Sequence, residues 1–319
     1  MEQTTNCITL ENNSANCYVN VIVNTLLNIS HVKKLLDSDI DHPILNGLRQ
    51  FMKNENYPKN ADFFRQLVGN HKKDFEISGQ QQDASLFLAA VLEFCLPLQK
   101  LFQNSVTIRD KCRNCDLVTY SFGGNQTCSL DLDNLDSNDF DFLIAVNSNQ
   151  ETTVVKRCLS EQCKTLKCNN EKNAGVPHNR DESFEFGSKV LVIKAKIFEH
   201  SGRLSDFRAN KIVKTLKPEI TSKLGPSTYK LRAIITHVND SNIQEGHYIV
   251  DILHDKTWTR CNDLAVNNIK SPSKQGYLFV YEKIEVEKIV IQKDRLQTEE
   301  IQNDEEPTDT LKVEKVIRL

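Results

Sequence analysis

The chain has 319 residues, enough to bury a substantial core as one elaborated domain or as two, and its 39% hydrophobic and 26% charged residues are typical of a globular protein. A net charge of −3 gives no overall attraction to nucleic acid or to an anionic membrane surface. No apolar run has the length needed to span a bilayer, and the amino terminus lacks the basic and apolar regions of a signal peptide. We therefore expect an intracellular protein, cytoplasmic or nuclear, whose ten cysteines are thiols, metal ligands or a nucleophile rather than disulfides.

The first predicted element is a helix that begins beside Cys17. Apolar side chains follow at the three- and four-residue spacing of a helix with one buried face: Val19, Ile22, Val23, Leu26 and Leu27. Asn16 is a suitable N-cap, which would place Cys17 in the first turn, where free backbone N–H groups and the helix dipole favour the nucleophilic thiolate. Two other interpretations stay open: the β-branched run Val21–Val23 also suits a strand, and a single cysteine is more often a small buried residue.

Helical patterns continue through the amino-terminal third of the chain. Short ones cover residues 32–36, 44–52 and 63–68, and a polar loop separates them from a stronger pattern. Apolar side chains in that pattern recur at helical spacing: Ala84, Phe87, Leu88, Val91 and Cys95. Asp83 would cap this helix at its start, and Pro97 would end it.

From Val106 the hydrophobic period changes to two, which predicts strands. The polar stretch from about residue 105 to 187 holds a concentration of cysteines, and we expect it to form an inserted, extended β subdomain. Four strand candidates follow, at residues 189–198, 229–238, 247–253 and 276–281. The chain becomes charge-rich from Lys283, which predicts a solvated tail.

Two cysteine pairs in the inserted region have the spacing of metal-binding knuckles. Cys112 and Cys115 form a C-x2-C pair, and Cys163 and Cys168 form a second pair with four residues between them. Brought together by a hairpin, the four thiolates would make a tetrahedral zinc site, which would stabilise a thin subdomain with little apolar surface. Cys158 is an alternative ligand because four residues also separate it from Cys163, and free thiols are the other interpretation.

A second set of candidate residues lies far downstream. His247, in the sequence Gly246-His247-Tyr248, opens a predicted strand and could accept the thiol proton and return it to a leaving amine. Asn262 or Asp263 could hydrogen-bond the other imidazole nitrogen and fix its tautomer. Each residue alone is commonly structural, but the order cysteine, histidine, then asparagine or aspartate favours a cysteine hydrolase.

Together these segments resemble the catalytic domain of the ubiquitin-specific proteases, which are papain-like deubiquitinases. Residues 12–26 are similar to the family's Asn-x-Gly-Asn-Thr-Cys-Tyr-x-Asn cysteine box. Residues 81–88, with Gln81-Gln82-Asp83-Ala84 and Phe87-Leu88, resemble its glutamine–aspartate–alanine box. The histidine box resembles the downstream set: Gly246-His247-Tyr248, Trp258, Asn262-Asp263 and Gly276 to Tyr281. The matches run in family order from about residue 7 to 283, which is more specific than any single motif.

The resemblance implies a catalytic role for each matching residue. Cys17 would be the nucleophile and His247 the base. Asn262 would be the third member that orients His247, with Asp263 as an alternative. Asn12 would help to stabilise the oxyanion.

The resemblance also implies what the protein binds. Gln82, Asp83 and Tyr248 would bind the extended tail of ubiquitin or of a ubiquitin-like modifier and its conjugates. Neither nucleic acid nor a membrane is expected as a partner. No cofactor would take part in the chemistry, and zinc would have only a structural role.

The implied fold class is α+β, a papain-like cysteine protease fold. A helical thumb would cover about residues 1–104, zinc-knuckle β fingers about 105–187, and an antiparallel β palm about 188–283. Residues 284–319 would form the charged carboxy-terminal tail.

Two departures from the family pattern leave alternatives open. Ser14-Ala15-Asn16 stands where the family has Gly-Asn-Thr, and Leu86 replaces a glutamate that would suit the arginines of ubiquitin's tail. The leading hypothesis is a thiol hydrolase that cleaves isopeptide or peptide bonds at the C-terminal glycine of the modifier. The main alternative is a catalytically weak or inactive protein of the same fold that serves as a ubiquitin-binding scaffold. A cysteine-rich nucleic-acid adaptor is a third interpretation, based on the basic residues between 156 and 167.

Overall fold

Helices make up the amino-terminal part of the chain, as the hydrophobic spacing predicts. The computed structural model describes residues 7–13, 15–53, 60–76, 79–125, 127–130, 150–156, 176–201, 208–211, 215–224, 227–238 and 246–284. Its helices are α1 (Cys17–Leu27), α2 (Ser30–Leu36), α3 (Pro43–Met52), α4 (Asp62–Gly69), α5 (Ala84–Phe94) and α6 (Leu96–Phe102), with a 3₁₀ turn at Lys73–Phe75. Helix α5 ends before Pro97, and Pro97 lies in the first turn of α6, where the missing N–H of proline is not needed.

Helix α1 lies in the core, so the strand interpretation of residues 21–23 is wrong. Every residue from Cys17 to Leu27 is buried. The helix packs against α5 on one side and against a sheet on the other. A helix that is buried on all sides needs partners for its polar side chains as well as for its apolar ones.

Strands follow the helices along the chain. They are β1 (Asn104–Cys112), β2 (Val118–Asn125), β3 (Thr127–Leu130), β4 (Gln150–Lys156), β5 (Val176–Glu185), β6 (Val190–Ala195), β7 (Phe198–Ser201), β8 (Arg208–Lys211), β9 (Thr221–Leu224), β10 (Ser227–Val238), β11 (His247–His254), β12 (Thr257–Asn262), β13 (Ala265–Ile269) and β14 (Leu278–Ile284). The larger sheet has the order β13-β12-β11-β10-β14-β6-β3, with β9 also paired to β10. Its described pairings are antiparallel except for β3 with β6. Helices followed by mainly antiparallel sheets confirm the predicted α+β class.

A second sheet has the order β2-β1-β5-β4 and belongs to the predicted cysteine-rich insertion. Its strands are long and polar, and ion pairs join β1 to β5. Arg180 holds the buried Asp110 through two hydrogen bonds of 2.8 and 3.0 Å, and Arg109 lies 2.6 Å from Asp181. Paired charges thus connect the two central strands of this sheet.

The chain divides into two compact units, Met1–Lys283 and Ile284–Leu319. The second unit lies outside the described residues except for its first residue. The predicted thumb, fingers and palm boundaries within residues 1–283 remain a prediction. Across the described ranges, every helix is too short or too polar to cross a bilayer.

A buried carboxylate on β14 connects the helical part to the larger sheet. Glu282 accepts hydrogen bonds from the backbone N–H of His31 at 2.9 Å and from its Nδ1 at 2.8 Å, and Arg232 donates to it at 2.8 Å. Burial alone would raise the pKa of Glu282, but the His31 hydrogen bonds and the Arg232 charge outweigh burial and lower it. The carboxylate is thus favoured in the folded state and fixes the start of α2 on the sheet.

We expect Glu282→Gln to lower the free energy of unfolding by about 3 kcal/mol at pH 7, because it leaves a partly buried arginine without its counter-charge. A glutamate in the unfolded chain has a pKa of about 4.3, and the folded value lies below that. The stabilisation is therefore present above this pH and is lost as the pH falls through the folded pKa. Urea unfolding at pH 7 and pH 4 measures both effects.

The control for this measurement is Glu93→Gln, which removes an exposed carboxylate 3.7 Å from Lys72. An exposed pair contributes little, so the expected change is below about 0.5 kcal/mol. Equal effects of the two substitutions would contradict the assigned role of Glu282.

Candidate active site

The predicted nucleophile is the first residue of α1 and lies in the interior of the protein. The carbonyl oxygen of Asn16 accepts hydrogen bonds from the N–H groups of Val19 and Asn20, both at 2.9 Å, so the helix begins where the sequence predicts. Cys17 is 1% exposed. Helix α1 packs against β11, the strand that begins with His247, so the fold brings the two predicted catalytic residues into one region.

Burial dominates the ionisation of this thiol. It raises the pKa of Cys17 to about 11, and the negative charge of Asp263 acts in the same direction. Hydrogen bonds from the backbone N–H groups of Tyr248, Tyr18 and Cys17 itself lower the pKa but do not offset burial. The helix start does favour the thiolate, as the sequence predicts, but desolvation has the larger effect. We therefore expect the thiol to need a base to remove its proton.

The predicted base, His247, is oriented by both of its predicted partners. Its Nε2 atom lies 2.7 Å from Oδ1 of Asn262 and 3.5 Å from Oδ2 of Asp263. An amide oxygen and a carboxylate oxygen can only accept hydrogen bonds, so these contacts require a hydrogen on Nε2. Cys17 contacts the N–H of Tyr248, the residue that follows His247, so the thiol lies close to the start of the strand that carries the predicted base.

The residue before His247 has to be glycine. Gly246 has a φ of +94°, a backbone conformation that L-residues with side chains rarely adopt. A Cβ atom there would lie 2.7 Å from the carbonyl oxygen of Val238 and 2.9 Å from Cε1 of His237. The close approach of β10 therefore sets the position at which β11, and with it His247, begins.

Asparagines recur every fourth residue at the start and along the length of α1: Asn16, Asn20, Asn24 and Asn28. Asn20 and Asn24 tie the amino-terminal segment to the helix. Asn20 donates to the carbonyl oxygen of Glu11 at 3.3 Å and to the carboxylate of Asp263 at 2.8 Å. Asn24 exchanges hydrogen bonds of 2.9 and 3.2 Å with the backbone of Ile8. The role of Asn20 at the site is not predicted from the motifs, although the four-residue spacing of amides on a largely apolar helix is a signal for it.

Asn12, the predicted oxyanion-binding residue, lies in the segment that these asparagines hold. The N–H of Leu10 donates to the carbonyl oxygen of Asp263 at 3.1 Å, and Glu11 forms a bridge with Asn60. The Oδ1 atom of Asn12 is buried and makes no hydrogen bond within the described part of the chain. The segment thus connects Asn12 to the turn that carries Asp263.

The backbone just before the nucleophile is strained. Ala15 has a φ of +55°, in the left-handed region. The resemblance has an asparagine at this position, a residue that adopts this conformation more readily, whereas for other L-residues it costs about 1–2 kcal/mol. Surrounding contacts must therefore hold this conformation in place.

Asp83, one of the predicted substrate-binding residues, is held by groups of the protein itself. Its carboxylate caps α5 by accepting a hydrogen bond from the N–H of Ser85 at 2.6 Å, as the sequence predicts for the helix start. The phenol of Tyr277 donates to both carboxylate oxygens at 2.7 and 2.8 Å, and the ammonium of Lys194 lies 3.7 Å away. Hydrogen bonds therefore fix the orientation of the Asp83 carboxylate, and the ammonium of Lys194 partly offsets its negative charge.

The other two predicted substrate-binding residues differ in exposure. Tyr248 is fully buried, its ring 4.8 Å from that of His237 and 6.2 Å from that of Tyr277 between centroids. We therefore expect Tyr248 to support its neighbours by packing rather than to contact a substrate with its side chain. Gln82 is half-buried, and Leu86, in the first turn of α5, is 54% exposed.

Two of the four predicted metal ligands lie at the turn between β1 and β2. Cys112 is buried and Cys115 is half-buried, and Cys112 lies directly opposite the buried His178 of β5. Cys163 and Cys168, and the alternative ligand Cys158, lie outside the described residues. Among the side chains that the structure describes, no three metal-binding groups converge on one point.

The chain resembles known proteins in sequence and in structure. A family model described as ubiquitin carboxyl-terminal hydrolase matches residues 8–281. Comparison with curated proteins gives no match. A solved chain from the SAGA DUB module of Ubp8, Sgf11, Sus1 and Sgf73 bound to monoubiquitin is similar with a TM-score of 0.68 and 16% identity, over 90% of this chain and 71% of that chain. A chain of the same module bound to ubiquitin aldehyde gives a TM-score of 0.63, with the same identity and coverage. These likenesses confirm the predicted fold class.

We expect alkylation of Cys17 by iodoacetamide to accelerate about tenfold per pH unit between pH 7 and pH 10, because only the thiolate reacts and the pKa is raised to about 11. Mass spectrometry of the Cys17 peptide gives the rate, and circular dichroism verifies that the protein stays folded at each pH. A rate that levels off below pH 8 would show a resting thiolate and contradict this prediction.

Proposed function

Because the chain belongs to the ubiquitin carboxyl-terminal hydrolase family, we propose that it is a cysteine-type deubiquitinase that hydrolyses the bond after the C-terminal glycine of ubiquitin or of a ubiquitin-like modifier. The observation that carries the catalytic assignment is the 2.7 Å contact of His247 with Asn262, next to the strand start whose N–H contacts Cys17. A nucleophile, a base and a group that orients the base are the parts that acyl transfer requires.

In the first step, Nδ1 of His247 takes the proton of the Cys17 thiol as the sulfur attacks the carbonyl carbon of the C-terminal glycine. The carbonyl oxygen becomes an oxyanion, which accepts hydrogen bonds from the backbone N–H of Cys17 and the side-chain amide of Asn12. Removal of one such donor typically lowers kcat by about 10²–10³. Proton removal at the moment of attack suits a thiol that is protonated at rest.

In the second step, the imidazolium of His247 protonates the departing lysine amine, and a thioester with Cys17 remains. His247 then removes a proton from water as the water oxygen attacks the thioester carbon; the C–S bond breaks, the Cys17 sulfur takes the proton back from His247, and the modifier leaves with a free carboxylate. Asn262 keeps the imidazole in the required tautomer throughout. The carboxylate of Asp263, 3.5 Å from Nε2, stabilises the imidazolium that forms between the two proton transfers.

The modifier's tail would pass the start of α5 on its way to Cys17. Asp83 and Gln82 lie there, and Lys194 already neutralises part of the Asp83 charge. The exposed Leu86 offers apolar surface where a carboxylate would bind an arginine. We propose that hydrogen bonds and apolar contacts, more than ion pairs, hold the tail in this protein.

A catalytically weak ubiquitin-binding scaffold is the second candidate function. The raised pKa of Cys17 and the strained Ala15 favour it, because both could slow the first step. The alignment of His247 by two partners favours the hydrolase. The two candidates differ in covalent chemistry at Cys17 and agree in ubiquitin binding.

We further propose a structural zinc ion at the turn between β1 and β2. The turn fits a metal knuckle because two backbone hydrogen bonds close it. The N–H of Cys112 donates to the carbonyl oxygen of Leu117 at 2.9 Å, and the N–H of Asp116 donates to the carbonyl oxygen of Cys112 at 3.1 Å. Cys112 and Cys115 would supply two thiolates, and Cys163 and Cys168 the other two. The metal would stabilise the polar second sheet and take no part in the chemistry.

We expect ubiquitin with an electrophilic C-terminus to form a covalent adduct with the wild-type chain and none with Cys17→Ala, since the adduct requires the nucleophilic sulfur. Gel shift and mass spectrometry detect the adduct. His247→Ala should slow its formation by at least tenfold through loss of the base. Probes built on other ubiquitin-like modifiers identify the preferred modifier.

Cys95→Ala is the control, because it removes another buried thiol away from the site and should be labelled at the wild-type rate. Equal labelling of Cys17→Ala and the wild type would rule out Cys17 as nucleophile. Ubiquitin binding by calorimetry without any labelling would identify the scaffold instead.

We expect the purified chain to contain about one zinc ion per molecule, and Cys112→Ser to lose it together with stability of the second sheet. Elemental analysis measures the metal, and hydrogen exchange of β1 and β5 measures the sheet. Cys95→Ala again serves as the control and should retain zinc. Metal-free wild type, or full zinc content in Cys112→Ser, would contradict the proposed site.

A further inference from the structure

The side chain of Asn16, the residue before the nucleophile, is used to bind α4 and not to cap its own helix. Its Nδ2 donates to Oδ1 of Asp62 at 2.5 Å, and its Oδ1 accepts a hydrogen bond from Nη1 of Arg65 at 2.7 Å. Asn16 is fully buried and makes no side-chain capping bond to α1. The first turn of α4 therefore binds the side chain of the residue before Cys17 through the carboxylate of Asp62 and the guanidinium of Arg65.

Arg65 also contacts the residue on the other side of the nucleophile. Its guanidinium hydrogen-bonds the phenol of Tyr18. One rigid, planar side chain thus reaches both chain neighbours of Cys17. A guanidinium has several N–H donors in a fixed arrangement, so it can hold two acceptors at a defined separation, whereas a lysine presents a single point charge.

The burial of Arg65 is difficult to explain as a contribution to stability alone. Arg65 is 0% exposed. Removing a guanidinium from water has a large desolvation cost, and buried ion pairs are often no more stabilising than apolar residues of similar volume. What the hydrogen bonds of Arg65 to Asn16 and Tyr18 do provide is a defined geometry. Here that geometry is imposed next to Ala15, whose left-handed backbone needs external support.

We propose that Arg65 and Asp62 act through Asn16 as positioning residues for the nucleophile. They hold residues 15–18 so that the backbone N–H of Cys17 faces the oxyanion and its sulfur faces His247. This inference rests on the proposed hydrolase function. It assigns to α4 a role in the reaction that neither the motifs nor the family match gives it.

The test uses an exchange of the amide and the carboxylate between residues 16 and 62. Asn16→Asp places two carboxylates against each other and breaks the contact between α1 and α4. Adding Asp62→Asn restores a hydrogen bond in the reverse direction and keeps one carboxylate beside Arg65. Gln66→Glu is the matched control, because it adds the same charge on the exposed face of α4.

Steady-state hydrolysis of ubiquitin with a fluorogenic C-terminal amide gives kcat and KM, and calorimetry gives the Kd for ubiquitin. We expect Asn16→Asp to lower kcat about 100-fold, since displacement of a reacting group by about 1 Å has that effect. The Kd for ubiquitin should change less than about threefold. Affinity for ubiquitin aldehyde, whose hemithioacetal carries the oxyanion, should fall in parallel with kcat.

The double variant Asn16→Asp, Asp62→Asn should regain kcat to within about fivefold of the wild type, and Gln66→Glu should match the wild type. An unchanged kcat in Asn16→Asp, or a loss that appears only in KM or in Tm, would overturn the positioning role. So would a double variant that folds but stays as slow as Asn16→Asp. A wild-type chain that hydrolyses no ubiquitin substrate would instead refute the proposed function, and this inference with it.

Discussion

The hydrogen bond from Asn20 to Asp263, 2.8 Å long and joining residues 243 positions apart, is the contact on which the geometry of the site depends. It fixes α1, which begins with Cys17, against the end of β12 and the turn that follows, where the two partners of His247, Asn262 and Asp263, lie. Asn20 also holds Glu11 and thereby the segment that contains Asn12. Because Asn20 is buried and Asp263 is partly buried, neither part can shift without leaving the Asn20 amide short of a partner. The site is thus a rigid junction of the helical part and the sheet.

The same burial sets the chemistry that the junction can perform. It raises the pKa of Cys17 to about 11, and the nearby Asp263 carboxylate acts in the same direction. Asp263 also lies 3.5 Å from Nε2 of His247, so one carboxylate is close to both residues of the proposed pair. In the proposed hydrolase the proton would leave the sulfur as the sulfur attacks the carbonyl carbon, and the alignment of His247 by Asn262 would then matter more than the resting state of the thiol.

The segment before Cys17 shows how a fold can keep a backbone conformation without the residues that favour it. Glycine and asparagine adopt left-handed conformations readily, and this chain has Ala15 there with a φ of +55°. The support comes from outside the segment. On one side, Asp62 and Arg65 of α4 bind Asn16. On the amino-terminal side, Asn20 of α1 binds the backbone of Glu11. Local strain is thus balanced by tertiary contacts.

The sequence by itself determined what depends on local order: the helix start at Cys17, the cap of α5 at Asp83, the change to strands near Val106, and the ordered motifs that indicate the family. These follow from spacing and from residues close in the chain. Only the tertiary structure decided that burial raises the pKa of Cys17 and which groups Asn20 and Arg65 contact. Desolvation depends on which distant segments cover a group, and the partner of a buried amide or guanidinium depends on the packing of helices and strands. The spacing of nearby residues therefore predicts neither the desolvation of a group nor its hydrogen-bond partner.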